Sequence, residues 1–330
     1  MKVVIPAAGA GARFRPHTHT QPKPLIPIAG KPILGHIVDQ FLEVGIQDFI
    51  FVVGYMGEKI TAYIEEQYRE KINYHTVYQE KRLGLAHAIV CCEKLIGNYP
   101  FLISLGDSII DTDLNYFIQN EKTILGVEEV DDPTKFGIAV LNENQEVIFL
   151  QEKPTIPRSN LALVGLYRIQ ETKELFAAIQ HLLSKDLKTQ NEYQLTDALL
   201  VMLENGIHIQ THKVRKWYDC GNKESLLYTH KTLMQRILYE PKQYFPSCII
   251  IPPVTIGQNC KLSNSIIGPY VAVADDATIN SSIVQNSIIG SYAFLDSIIL
   301  KNSLIGNDAS LIGRSQSINI GDSTEINFNN

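Results

Sequence analysis

Residues 3–32 read VVIPAAGAGARFRPHTHTQPKPLIPIAGKP, and this stretch decides the fold. Its apolar run, Val3 to Ile5, stops at Pro6 and gives way to a loop of small residues, Ala7 to Ala12. A short apolar run this close to the N-terminus reads as a first strand. Gly9 and Gly11 let the following loop bring its backbone N–H groups close to a ligand. Arg13 and, further on, Lys23 between two prolines add two fixed cations. A strand, a glycine turn and two cations in that order suit a polyphosphate.

Two better-known glycine loops do not fit. A dinucleotide fingerprint needs G-x-G-x-x-G, and the third position counted from Gly9 is Phe14. A Walker loop needs G-K-[ST], and Gly30-Lys31 is followed by Pro32.

Working outward, 330 residues suffice for two domains. Hydrophobic content of 45% with 19% charged residues is that of a globular protein with a sizeable core. A net charge of −6 argues against a nucleic-acid partner, which would want a basic stripe, yet leaves room for a locally basic pocket. The five cysteines (Cys91, Cys92, Cys220, Cys248, Cys260) make no C-x-x-C pair and no metal-ligand spacing. Such a scattered set suits a reducing compartment. The first residues read as neither a signal peptide nor a membrane span, so the expected location is cytoplasmic, with no membrane partner.

The first half alternates in type. Leu34, Ile37, Val38, Phe41 and Leu42 form one face of a helix ending at Gly45. A buried strand at Phe49 to Val53, a helix from about Glu58 to Tyr68 and a strand near Asn73 to Tyr78 follow. Then come a helix near Leu83 to Leu95 and a strand at Phe101 to Leu105. This alternation implies an α/β fold, a mostly parallel Rossmann-like sheet whose ligands sit beyond the carboxyl ends of its strands. From Thr123 to Arg168 short apolar runs separated by turn clusters read as inserted β-hairpins. Helices return near Glu171 to Leu183, Gln194 to Leu203 and after Gly221.

Beyond about Phe245 the texture changes. Ile256, Leu262, Ile267, Val273 and Ile279 recur near six-residue spacing, and N-S-I-I-G appears at Asn264 to Gly268 and Asn286 to Gly290. It returns as N-S-L-I-G at Asn302 to Gly306. Hexapeptide spacing indicates a parallel β-helix. The expected domains are therefore 1–240 and 241–330.

The opening stretch closely resembles the signature of sugar-1-phosphate nucleotidyltransferases: a G-x-G-x-R loop, a P-x-T step (Pro16, Thr18) and a P-K-P-L block (Pro22 to Leu25). Ala8 and Ala12 stand where many members have Gly and Thr, which touches loop shape rather than charge. The resemblance extends in order over roughly residues 1–240. Some members also carry a left-handed β-helix at the C-terminus, which here is expected to be an oligomerisation or regulatory prism and suggests a homo-oligomer.

The resemblance implies roles for particular residues. Ala8, Gly9, Gly11, Ala12, Gln79 and Gly84 would bind the nucleotide, Gln79 reading the base edge and Gly84 letting the backbone approach it. Guanine-using relatives tend to carry Glu there, so Gln79 favours a pyrimidine; an amide offers a donor and an acceptor together. Arg13, Lys23 and Asp107 would be catalytic, with Asp107 (in Leu105-Gly106-Asp107) and Asp219 (in Trp217-Tyr218-Asp219-Cys220-Gly221) holding Mg²⁺. The usual residue after that glycine is Thr, whereas this chain has Asn222. Gly137, Glu152, Lys153, Val164 and Gly165 would form the sugar-phosphate side. Glu192-x-Gln194-Leu195-Thr196-Asp197 reads chiefly as a capped helix start supporting that pocket.

The resemblance thus implies transfer of a nucleotidyl group from dTTP or UTP to glucose 1-phosphate. Thymidylyltransferase is the first expectation and uridylyltransferase the alternative. Two rivals carry less weight. Left-handed β-helices often serve acyltransferases that use a His base, but every histidine here lies at or before His230. A non-catalytic sugar-nucleotide sensor would have little need of Arg13, Lys23, Asp107 and Asp219 together.

Overall fold

A computed structural model describes residues 1–236 and 244–314. Its packing separates two units, Met1–Thr229 and His230–Asn330. The expected boundary at 240/241 lies outside the described residues, as does the chain beyond 314.

The first unit opens with β1 (Lys2–Ala7), whose Val3, Val4 and Ile5 are fully buried. Three single turns of 3-10 helix and a short hairpin, β2 (Pro27–Ile28) and β3 (Lys31–Pro32), lead into α1 (Ile33–Glu43). Next come β4 (Asp48–Val53), α2 (Gly57–Tyr68) and β5 (Asn73–Tyr78). The helix expected over Leu83 to Leu95 is two pieces, α3 (Leu85–Val90) and α4 (Glu93–Ile96). Gly84, at φ 109°, stops helix before Leu85, and a tight turn at Cys91-Cys92 separates the pieces.

After β6 (Phe101–Ser104) and β7 (Ser108–Asp111), α5 (Leu114–Gln119) leads to four strands and two helices. These are β8 (Thr123–Glu129), β9 (Gly137–Leu141), β10 (Val147–Glu152), β11 (Leu161–Ile169), α6 (Thr172–Ser184) and α7 (Leu195–Glu204). The unit closes with β12 (Ile209–Lys213), β13 (Lys216–Asp219) and the start of α8 (Lys223–Met234).

The sheet runs β10-β9-β11-β6-β1-β4-β5, with β8 on β11 and β12 on β8. The pairs β1/β4, β4/β5 and β1/β6 are parallel, whereas β11 joins β6 and β8 antiparallel and β9/β10 is the inserted hairpin. Strands β1 and β4 lie inside the sheet and are covered on both faces, so they read as continuous apolar runs rather than alternating ones.

The described part of the second unit is three stacked faces of parallel strands, consistent with a left-handed β-helix. Its coils are shorter than three hexapeptides. Ile249 pairs with Ile266 and Ile266 with Ile283, coils of 17 residues. Val271 then pairs with Ser287 and Ile288 with Leu304, coils of 16. The later two N-S-[IL]-I-G copies therefore stack on one face, one coil apart, while the first copy falls on the preceding face. Ile267, Val271, Ile279, Val284, Ile289 and Leu295 fill the prism at 0% exposure.

Candidate active site

A cavity of about 530 Å³ opens at the carboxyl ends of β1 and β6, just beyond β5. Such a position is where an open parallel sheet leaves an unfilled crevice. Fourteen of the fifteen site residues expected from sequence line it: Ala8, Gly9, Gly11, Ala12, Arg13, Lys23, Gln79, Gly84, Asp107, Gly137, Glu152, Lys153, Val164 and Asp219. Gly165 does not. Its φ is +88° and a side chain there would strike Leu105 at 2.6 Å. It gives room to the Leu105-Gly106-Asp107 turn, and its carbonyl accepts from Leu105 N–H at 2.9 Å.

The glycine turn is held from behind. Thr18 Oγ1 donates to the Gly11 carbonyl at 2.9 Å, and the Tyr55 hydroxyl donates to the Thr18 carbonyl at 2.9 Å. A Cβ on Gly11 would press on Lys23 and Thr18 at 3.0 Å, so the turn lies directly on the P-K-P-L block. Lys23, 7% exposed, donates to Asp107 Oδ2 at 2.6 Å. Arg13 lines the same cavity but is solvent-exposed.

Asp107 and Asp219 are brought together by β7 and β13, which pair Ser108 with Asp219, while Cys220 N–H donates to the Asp107 carbonyl at 3.3 Å. Burial first, and the charge of Asp107 second, raise the Asp219 carboxyl above the usual range; Lys23 and Arg13 pull it back. Two aspartates and two cations thus share one electrostatic neighbourhood. Burial pushes the neighbouring Cys220 thiol up to about 12, which leaves it inert as a nucleophile. Asn222, where the resemblance expects Thr, caps α8 reciprocally: its Oδ1 accepts from Ser225 N–H at 2.9 Å and its N–H donates to Ser225 Oγ at 3.2 Å.

On the far side, β9 and β10 set Gly137 opposite Glu152. Thr196 Oγ1 donates to Glu152 Oε2 at 2.7 Å, and Glu152 Oε1 lies 3.5 Å from Lys153 Nζ. Phe136 and Trp217 meet edge to face at 4.8 Å beside them.

The Glu192 to Asp197 block is not the capped helix start expected from sequence. Gln194 at the N-cap position of α7 makes no capping bond; its amide turns back to the Thr189 carbonyl and Glu192. Instead Tyr193 straps the loop before α3, its N–H donating to the Leu83 carbonyl at 2.8 Å and its carbonyl accepting from Ala86 N–H at 3.0 Å. A Cβ on Gly84 would lie 2.5 Å from the Tyr193 carbonyl oxygen, so only glycine permits the strap. The same short segment therefore orients Glu152 through Thr196 and the Leu83–Ala86 loop through Tyr193.

Sequence reading missed several lining residues, among them Arg82, Lys135, Tyr167, Glu192 and Gln194. Arg82 and Lys135 look like ordinary surface cations in the chain, and only the fold turns them to the cavity. Gln194 and Glu192 belong to a motif already singled out, so that signal was present.

The cavity thus gathers cations and carboxylates from separate segments of the chain. Residues 2–236 match the nucleotidyl transferase family, and the chain belongs to that family. Over 95% of its length it is 29% identical to a glucose-1-phosphate thymidylyltransferase of Streptomyces griseus, covering 92% of that relative. It is also 29% identical to a low-salt glycan biosynthesis nucleotidyltransferase of Haloferax volcanii, over 88% of this chain and 87% of the relative. Among solved structures, UDP-glucose pyrophosphorylase complexed with UDP-glucose superposes with a TM-score of 0.63 at 27% identity. That match covers 72% of this chain and 99% of the other.

Proposed function

We propose that this chain joins the nucleotidyl group of dTTP or UTP to glucose 1-phosphate and releases pyrophosphate, in the first instance as a glucose-1-phosphate thymidylyltransferase. One observation carries the reading: the Lys23–Asp107 pair, Asp219 and Arg13 meet in a single cavity. Gln79 and Gly84 line it on one side, Glu152 and Lys153 on the other. The near-full-length likeness to a thymidylyltransferase supports the choice of substrates.

The nucleophile, a sugar phosphate oxygen, is already an anion, so the chain need not supply a base. The obstacle is charge. Two unit charges ~4 Å apart repel by about 4 kcal/mol at an effective dielectric of 20. Arg13 and Lys23 offset this on the triphosphate and Lys153 on the sugar phosphate, with Glu152 accepting from sugar hydroxyls. Thr196 holds the Glu152 carboxylate in place by its 2.7 Å bond. Asp107 and Asp219 offer only oxygen, close enough for one charge to raise the other, a donor set that fits Mg²⁺ with phosphate oxygens and water completing its shell. Bound there, Mg²⁺ would supply charge neutralisation at the bridging and leaving oxygens. Residues 1–240 are read as the catalytic domain and the β-helix as the surface for self-association.

The test is a pyrophosphate-release panel crossing five nucleoside triphosphates with several sugar 1-phosphates, with Mg²⁺ and with chelator. Release with dTTP or UTP and glucose 1-phosphate, abolished by chelator, is expected. Release with GTP but not with dTTP or UTP would overturn the role of Gln79. No release with any pair would favour a non-catalytic sugar-nucleotide sensor.

A further inference from the structure

Gln79 is 5% exposed, and its amide nitrogen is fully engaged. Nε2 donates to the Gly84 carbonyl at 3.0 Å and lies 3.0 Å from His87 Nδ1. A carbonyl can only accept, so the atom facing Gly84 must be the NH₂ group. Its second hydrogen then points at His87, whose Nδ1 must be bare and whose proton must sit on Nε2. With both hydrogens spent, Gln79 has only Oε1 to offer the cavity. The amide presents an acceptor alone, and not the donor–acceptor pair expected from its chemistry in isolation.

Resting on the base-reading role of Gln79 proposed above, we propose that His87 is a positioning residue that locks the Gln79 amide with its oxygen toward the base. His87 does not line the cavity, so it acts through Gln79. The lock admits bases with a ring N–H at the edge being read, thymine and uracil (guanine shares this feature), and rejects cytosine, whose N3 is an acceptor. An amide turned over to welcome cytosine would set its oxygen against the Gly84 carbonyl oxygen and would need a proton on His87 Nδ1. The surroundings keep the ring neutral, and the Gln79 NH₂ at 3.0 Å makes Nδ1 its bare nitrogen. Burial lowers the His87 pKa and the charge of Lys81 lowers it further.

The experiment measures kcat/KM for UTP, dTTP and CTP with glucose 1-phosphate and Mg²⁺ in wild type, His87→Leu, His87→Asn and Gln79→Ala. His87→Leu removes the acceptor and should cut the preference for UTP and dTTP over CTP about tenfold, the size of one hydrogen bond. His87→Asn returns an oxygen near the Nδ1 position and should retain most of that preference. If Gln79→Ala collapses the preference while His87→Leu leaves it intact, the lock is refuted and the base-reading role stands. If Gln79→Ala leaves it intact, the base-reading role itself fails. An equal loss in His87→Asn and His87→Leu also refutes the lock, since the acceptor would not be what matters. Independently of any variant, nitrogen NMR of histidine-labelled wild type should show His87 protonated at Nε2; a proton on Nδ1 at neutral pH overturns the proposal.

Discussion

Lys153 offers the sharpest test, because its backbone and its side chain make opposite demands. Its φ is +39°, a left-handed conformation, and the residue that follows is Pro154. A Cβ in that region costs roughly 1–2 kcal/mol, and a following proline restricts the residue further. The conformation is held by Lys153 N–H donating to the Phe136 carbonyl at 3.0 Å, at the end of the β9/β10 ladder. In the proposed reaction the side chain must reach the sugar phosphate, so glycine, the residue the backbone prefers, is the one function forbids. Replacing Lys153 by Gly relieves the left-handed strain but returns about 0.5–1 kcal/mol through the freer unfolded chain. Replacing it by Ala relieves nothing. Both lose the 3.5 Å contact with Glu152, so that loss cancels in the comparison. Lys153→Gly should therefore exceed Lys153→Ala in stability by about 0.5–1 kcal/mol. For a unit of this size that is about 1–4 °C in melting temperature. Both variants should be impaired in pyrophosphate release. Parallel thermal unfolding and steady-state kinetics read both quantities. Equal or greater stability of Lys153→Ala would refute the strained backbone, and near-normal turnover in Lys153→Gly would refute the reason for keeping it.

Arg13→Ala should lower kcat about 10²–10³-fold with a smaller change in KM, because the exposed guanidinium is proposed to meet charge that develops during transfer; steady-state kinetics that moved KM alone would contradict this. Asp219→Asn removes a carboxylate that burial and Asp107 both disfavour, so the metal-free variant should melt no lower than wild type. Mg²⁺ should raise the melting temperature of wild type and leave the variant unmoved, as calorimetry with and without the ion would show. His36 is neutral in the fold: burial, assisted by Lys31, lowers its pKa to about 4 against the opposing pull of the Ile28 carbonyl and Asp39. Its contribution to stability is whole above about pH 6.5, where the unfolded chain is also unprotonated, and is lost as pH falls toward 4, by about 3 kcal/mol in all. Denaturation midpoints of His36→Gln between pH 7 and 4.5 should accordingly slope less than those of wild type.

Much of the site was legible because its residues lie in short segments whose neighbours dictate local shape. Gly9, Gly11 and Arg13 follow a buried strand directly, so their convergence needed no long-range information. The base-side loop was legible for a similar reason: Gln79 lies just past β5, and Gly84 ends the loop before α3. That Gly165 makes room for Leu105 was hidden, because a glycine that spares a neighbouring side chain and one that admits a ligand are identical in a sequence. The coil length of the β-helix was also hidden. Spacing between aliphatic residues counts the faces, but turns of varying length between them set the 16 or 17 residues per coil.

Taken alone, the sequence determined the opening strand and glycine turn, the parallel sheet with its inserted hairpin, the β-helical second unit and fourteen of the residues that line the cavity. These follow from local periodicity and from conformations that few residues tolerate. Only the tertiary structure decided which atoms those residues present. The pairing of Lys23 with Asp107, the strap of Tyr193 over Gly84 and the grip of His87 on Gln79 join segments that the chain leaves apart or on successive turns. A hydrogen bond depends on direction as well as proximity, and direction is fixed only when every neighbouring group has taken its place.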